Sequence, residues 1–383
     1  MDNFDFCNPV RVVFGKNAIS KLSSFVPESA RVLIIYGGGS IKKNGVYEQV
    51  KTALSGLETF EYGGIEANPH YETCMRVLTL VKEKNINFLL AVGGGSVIDA
   101  TKFIALAAHF KGDPWDILLK GAKADDALPV GVVLTLAATG SEMNERAVIT
   151  NKTTGKKLGF SNPLAFPKFA IMDPEVTRSV PLCQIANGVV DSFIHVVEQY
   201  LTYPVGAKVQ DTFSESLMKV IKEEGQRVLS EPDNYDVRAN LMWAASNALN
   251  GWLGVGVPQD WSSHRMGYPL TTQLGLDHAQ TLAVILPGVM AYMKTEKQKK
   301  IISLGASVFD IKEGSEEERV DKTIIAVEDF FRSMGVKTRL NEYGIKESDL
   351  DSLVEPIKQL GWKLGEHGNI DWQAARKILS LRL

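Results

Sequence analysis

Two apolar runs, Val32–Tyr36 and Phe88–Val92, each end on Gly-Gly-Gly-Ser, at 37–40 and 93–96, and each turn opens a helical segment. This order of strand, glycine turn and helix constrains the fold more than any other feature of the chain. The runs are rich in Val, Ile, Leu and Phe without polar alternation, as expected for strands covered on both faces. A third run, Val130–Leu136, leads to Thr139-Gly140-Ser141-Glu142 in the same place, and Tyr71–Lys84 and Val97–His109 carry helical spacing between the runs. The β-α-β rhythm predicts a mainly parallel, doubly wound sheet.

Glycine permits positive φ and close backbone approach, and the free N–H groups at the start of the following helix attract an anion. Two such turns, with Thr-Gly-Ser as a third, predict a phosphate-bearing ligand held at different points. Any α/β domain uses glycine at these corners, and neither G-x-G-x-x-G nor G-x-x-x-x-G-K-[ST] is present. The pattern by itself therefore reaches a phosphate-bearing ligand and stops.

After Ala170-Ile171-Met172-Asp173-Pro174 the texture changes to long helical patterns: Cys183–Leu201, Ala207–Leu229, Tyr235–Leu253, Gln280–Met293 and Val320–Ser333. A chain of 383 residues exceeds one hydrophobic core. The expected architecture is an α/β, doubly wound nucleotide-binding domain over residues 1–177 and an all-α domain over residues 178–383. Phe309–Arg319 is expected as a charged surface loop. A formal net charge of −3 with both signs scattered argues against nucleic acid or an anionic membrane as partner. No apolar run reaches the ~20 residues that span a bilayer. The three cysteines are widely spaced, and the N-terminus lacks the pattern of a signal peptide. A soluble cytoplasmic protein with free thiols is expected.

Asp191 and His195 stand four apart in IANGVVDSFIHVVEQYL, so on a helix they share one face. An isolated Asp-x-x-x-His is more often a polar pair on a solvated face. Here Val189, Val190, Phe193, Ile194, Val196 and Val197 make the helix apolar almost all round, so the pair should be buried and need partners. His264 and His278 are candidates for those partners. On one continuous helix they would stand ~21 Å apart, but Gly267, Pro269 and Gly275 are expected to break the stretch and let the chain fold back. One carboxylate and three imidazoles suit Fe²⁺ or Zn²⁺ and leave room for a substrate oxygen. His70, His109 and His367 lack such settings and are expected to be surface or structural.

At these residues the chain resembles the iron-activated (group III) alcohol dehydrogenase family over essentially its whole length. The resembling pieces are FGK at 14–16, GGGS at 37–40, Asn68-Pro69, AVGGGSVIDATK at 91–102, TLAATGSE at 135–142, GVVDSFIHVVEQY at 188–200 and GLDHAQTLAVILP at 275–287. It is similar in particular to the NADPH-dependent aldehyde reductase and butanol dehydrogenase branch. The resemblance implies a dehydroquinate-synthase-like fold, a cleft between two domains, a homodimer and a small alcohol or aldehyde substrate. It implies a metal on Asp191, His195, His264 and His278. It places NADP(H) on Gly37, Gly38, Gly39, Ser40, Asn68, Gly94, Gly95, Ser96, Asp99, Thr135, Thr139, Ser141, Asn144 and Lys157.

NAD-preferring members carry an aspartate where this chain has Gly39. An aspartate there would repel a 2′-phosphate, whereas Gly39-Ser40 with Lys42 or Lys43 nearby suits one, so NADP is expected. Many relatives also have a histidine four residues after the third metal ligand, proposed to relay protons. Here that position is Tyr268, a weaker acid with a pKa near 10. Trp252, Trp261 and Phe160 are candidate pocket walls. The rival readings are polyol oxidation with NAD, a metal-dependent lyase related to dehydroquinate synthase, and a non-catalytic NADP sensor.

Overall fold

The computed structural model describes residues 1–383. The strands are β1 (Arg11–Phe14), β2 (Arg31–Tyr36), β3 (Glu58–Tyr62), β4 (Phe88–Gly93), β5 (Val130–Leu134), β6 (Arg146–Asn151), β7 (Lys156–Ser161) and β8 (Phe169–Met172). Six of them form one sheet in the order β1-β8-β5-β4-β2-β3, and β6 and β7 form a separate antiparallel hairpin. All pairings in the larger sheet are parallel, with Val32 opposite Phe88 and Leu89 opposite Val130. Apart from Arg31, every residue of β2, β4 and β5 is buried. Val32, Ile34, Leu90, Val92, Val133 and Ile171 share a core with Ile19, Leu22, Val46 and Val50. Each such side chain contributes about 2 kcal/mol of burial.

The order of the strands fixes where a ligand can sit. From β2 the chain goes out to β3 on one side, and from β4 it goes to β5 on the other. The connections therefore diverge between β2 and β4, and both GGGS turns lie there, at the carboxyl ends of those two strands. Ligands of open α/β sheets bind at this kind of divergence.

The sheet has strands that pattern alone did not mark. β1 and β3 are edge strands, half exposed, and β3 carries Glu58 and Glu61 on its exposed positions, which hides the apolar run. β8 is buried but only four residues long. The third expected strand ends at Leu134 rather than Leu136, and Thr135 donates its N–H to Gly93.

No strand follows Met172. The helices Leu182–Tyr200, Lys208–Ser230, Tyr235–Ala248, His278–Tyr292 and Glu316–Ser333 occupy the expected patterns, and Ser262–Leu274, Gln298–Val308, Leu350–Gln359 and Trp372–Ser380 are additional. Met266, Leu270, Val284, Ile285, Val289, Leu353, Ile357 and Ile378 form the main helical core. Ser315 and Glu318 close a capping box at the start of Glu316–Ser333, so the charged loop expected over 309–319 ends earlier.

The chain forms two compact units, but not as the two continuous pieces 1–177 and 178–383. One unit is Cys7–Val180 with Asp233–Ser246; the other is Met1–Phe6, Pro181–Pro232 and Asn247–Leu383. The exchanged segment holds most of the helix Tyr235–Ala248. Its polar groups explain the assignment: Arg238 donates to Thr177, Ser246 donates to Glu142, and Tyr235 stacks under Lys16. Those partners all belong to the α/β unit, and sequence periodicity carries no information about them.

Candidate active site

The helix Leu182–Tyr200 is buried from Ile185 to its end except at Asn187, because its apolar residues occupy every face. Asp191 and His195 are each 3% exposed, one turn apart, with His195 Nε2 3.5 Å from Asp191 Oδ1. The helix Ser262–Leu274 brings His264 Nε2 to 3.9 Å from the same oxygen, and the start of His278–Tyr292 brings His278 Nε2 to 3.7 Å. Three imidazole nitrogens thus face one carboxylate oxygen. The ligand atoms of Asp191, His195 and His264 all lie within 4.8 Å of one another. Three buried donors, with the half-buried His278 imidazole converging on the same oxygen, fit one divalent cation of the Fe²⁺ or Zn²⁺ type.

The route by which His264 and His278 meet differs from expectation. Gly267 and Pro269 do not break the chain; both lie inside the helix Ser262–Leu274. The reversal is made at Gly275 alone, in the left-handed region at φ 69°, and Asp277 restarts the chain with a capping box to Gln280. Gly267 serves the crossing instead: a Cβ there would lie 2.6 Å from Thr281 Oγ1 on the next helix. His70, His109 and His367 are elsewhere, beside Glu66, Asp126 and Tyr203 respectively.

Sequence reasoning missed Glu198. It stands one further turn along the face of Asp191 and His195 and is 2% exposed. Its carboxylate contacts His264 Nδ1 and accepts the Ser263 N–H at 2.6 Å. Burial, with the nearby Asp260 carboxylate, pushes the Glu198 carboxyl up to about 8; a cation held by the neighbouring ligands would favour its charged form. Asp260 in turn accepts the Ser262 N–H at 2.7 Å and pairs with the buried ammonium of Lys297 at 2.8 Å. The signal was present, since Asp191, His195 and Glu198 follow a 3.6-residue period.

Of the aromatic candidates, only Trp261 meets the metal cluster, with its ring 5.2 Å from that of His264 and 6.2 Å from that of His195. It holds φ 60°, a strained value for so bulky a residue. Trp252 packs on Phe6 and Phe213, and Phe160 on Phe103. Tyr268 lies one turn after His264 and is half-buried with its ring edge-on to Trp362.

In the α/β unit half of the expected cofactor residues form a cluster of two hydrogen-bonded groups. Asp99 accepts from the Ser141 hydroxyl at 2.6 Å and from the Val148 N–H at 2.8 Å. Asn144 donates to Gly140, Ser141 N–H reaches Thr139 Oγ1, and Asn68 shares contacts with Ser96 at 3.3 Å and Lys157 at 2.7 Å. Gly95 is required by space, because a Cβ would overlap the Thr139 side chain. Beneath them lies a second missed residue, the fully buried Lys102, which donates to Ser141, Asn144 and the Arg146 carbonyl. Desolvation lowers its pKa to about 8 against the pull of Asp99. Gly37–Ser40 is set apart from this cluster at the end of β2, where the Gly37 carbonyl accepts from Gly64. Lys42 is engaged with Glu61 at 2.9 Å, while Lys43 is exposed.

Comparison with known proteins agrees with this arrangement. Residues 9–174 match the family model for iron-containing alcohol dehydrogenase, and residues 185–359 match the C-terminal model of the same family. The chain is 50% identical over 382 residues to the NADPH-dependent aldehyde reductase YqhD of Escherichia coli, covering 99% of each. The crystal structure of that protein superposes with a TM-score of 0.99 over 100% of this chain and 99% of the other. An NADP-dependent alcohol dehydrogenase of Entamoeba histolytica is 41% identical, covering 99% of each chain. The structure of NADH-dependent butanol dehydrogenase A from Thermotoga maritima gives a TM-score of 0.96 at 35% identity, covering 100% and 99%. With both models of the family matched in sequence and a 50% identical relative covered end to end, the chain belongs to the iron-containing alcohol dehydrogenase family.

Proposed function

We propose that this chain is a metal-dependent alcohol dehydrogenase working as an NADP(H)-linked aldehyde reductase on small alcohols and aldehydes. The observation that carries the reading is the convergence of the His195, His264 and His278 Nε2 atoms on Asp191 Oδ1. These four residues would hold the ion, iron being the metal of the family's name and zinc the alternative of similar donor preference. When bound, the ion supplies Lewis acidity to a substrate oxygen and the dinucleotide supplies hydride.

The chain's own groups do the rest. Trp261 packs its ring against those of His195 and His264 and so forms an apolar wall beside them. The Tyr268 hydroxyl, one turn beyond His264, is our candidate to pass a proton to the substrate oxygen. The backbone N–H groups of Gly94–Ser96 and of Gly37–Ser40, across the divergence of β2 and β4, would take the dinucleotide phosphates, with Thr139, Ser141 and Asn144 holding the adjoining turn in shape. Gly39 leaves space and no negative charge for a 2′-phosphate, and Lys43 supplies positive charge nearby. This supports NADP over NAD, in line with the NADPH preference named for the 50% identical relative.

No helix is long and apolar enough to cross a membrane, and all three cysteines are free thiols. A cytoplasmic homodimer completes the reading, the dimer resting on the family resemblance; sedimentation velocity tests it. The functional reading is tested by His264→Ala. It predicts loss of NADPH-linked aldehyde reduction with dinucleotide binding retained, and full turnover in that variant overturns it.

A further inference from the structure

Glu198 lies outside the four-residue donor set, yet both of its carboxylate oxygens are committed to the helix that carries His264. Oε1 accepts the Ser263 N–H at 2.6 Å, and Oε2 contacts His264 Nδ1. The start of this helix needs help of this kind. Its cap residue, Trp261, sits in the left-handed region and makes no side-chain cap. The first N–H groups are met by two carboxylates instead, Asp260 on Ser262 and Glu198 on Ser263. The Lys297 ammonium, 3% exposed, lies between Asp260 at 2.8 Å and Glu366 at 2.7 Å and offsets part of the negative charge gathered there.

The same carboxylate also decides which imidazole nitrogen of His264 is available. In its charged form, which a cation on the neighbouring ligands would favour, the Glu198 carboxylate beside Nδ1 holds the proton there and leaves the lone pair on Nε2, the atom that faces Asp191 Oδ1 at 3.9 Å. The ion-pair distances of His195 and His278 run through Nε2 to Asp191, whereas His264 meets a carboxylate at each ring nitrogen. The His264 ring is therefore held from behind by an acid.

We propose that Glu198 is a positioning residue of the metal centre: it fixes His264 as the Nδ1–H tautomer and anchors the helix start, so that Nε2 is presented to the ion. The inference rests on the metal-centre reading of Asp191, His195, His264 and His278, and its test must separate the two.

The test compares Co²⁺ dissociation constants for the full-length, metal-stripped chain in wild type, Glu198→Gln, Glu198→Ala and His264→Ala. Loss of an outer partner of a metal-binding histidine weakens affinity about 10- to 100-fold. Glu198→Ala should fall in that range, and Glu198→Gln, whose single amide oxygen can accept from Nδ1–H while its NH2 loses the Ser263 N–H, should recover part of the loss. NADPH affinity should be unchanged in both. If both Glu198 variants bind Co²⁺ within twofold of wild type while His264→Ala loses it, the proposal is overturned and the metal centre stands. If wild type and His264→Ala bind alike, the metal-centre reading itself fails. A variant that does not fold leaves a direct measurement on Zn²⁺-loaded wild type, the ¹⁵N shifts of His264. Protonated Nδ1 is expected, and protonated Nε2 overturns the proposal.

Discussion

Gly267 and Thr281 meet where two ligand-bearing helices cross: a Cβ on the glycine would lie 2.6 Å from Thr281 Oγ1 and 3.3 Å from its Cβ. His264 and His278 sit one turn before these two residues, so the closeness of the crossing sets the closeness of the imidazoles. Gly267→Ala should destabilise the fold by about 1–3 kcal/mol through overpacking and lower the metal bound per chain. Thr281→Ala should restore part of both losses in the double variant. Melting temperature and elemental analysis of the three variants check this, and strict additivity contradicts it.

Lys102 should act on the α/β unit through Ser141 and Asn144. Lys102→Met removes all three of its hydrogen bonds and is expected to weaken NADPH binding about tenfold, the equivalent of about one such bond at roughly 1.4 kcal/mol. Its pKa falls from 10.5 to about 8 on folding. Between those values the unfolded chain holds a proton that the folded chain has released, so this group's contribution to stability grows with pH. It is complete above 10.5 and is lost as pH falls through about 8. The shift corresponds to about 3 kcal/mol. Chemical denaturation at roughly pH 7.5 and 9.5, on either side of the folded value, should show wild type gaining stability relative to Lys102→Met at the higher pH.

Cofactor choice should turn on the first glycine turn. Gly39→Asp is expected to lower the NADPH-to-NADH ratio of kcat/KM about tenfold or more, one like charge near the 2′-phosphate costing about 1.4 kcal/mol. Lys43→Ala should weaken NADPH and leave NADH unchanged. Lys42→Ala should matter less for selectivity, because Lys42 already serves Glu61 and lies over Tyr36 and Tyr47.

The proton route can be separated from metal binding. Tyr268→Phe removes one hydroxyl from a half-buried ring that packs on Trp362. The expected result is a drop in kcat of about 100-fold with bound metal and NADPH affinity unaltered. Wild-type kcat in this variant would assign the proton to another group.

Much of this site was legible in the residues. The continuous apolar runs exposed β2, β4 and β5, whose burial on both faces leaves no polar alternation, and the apolar surround of Asp191 and His195 announced a buried helix. The edge strands β1 and β3 were not legible, because half their side chains face away from the core. Gly267 was misread as a break, since sequence does not distinguish a glycine that ends a helix from one that admits a neighbouring helix. Glu198 shared the face of Asp191 and His195, but its partner is His264 on another helix, and a contact at that separation arises only from the tertiary arrangement. Lys102 shows the same limit, with acceptors far along the chain.

Turnover should need one divalent ion on Asp191, His195, His264 and His278. The most direct test is NADPH-linked aldehyde reduction, measured while Fe²⁺ or Zn²⁺ is returned to the chelator-stripped protein. The rate should be absent without metal and rise in proportion to bound ion until one per chain is reached. Full activity in the stripped protein, or a rate that keeps rising well past one ion per chain, would contradict it.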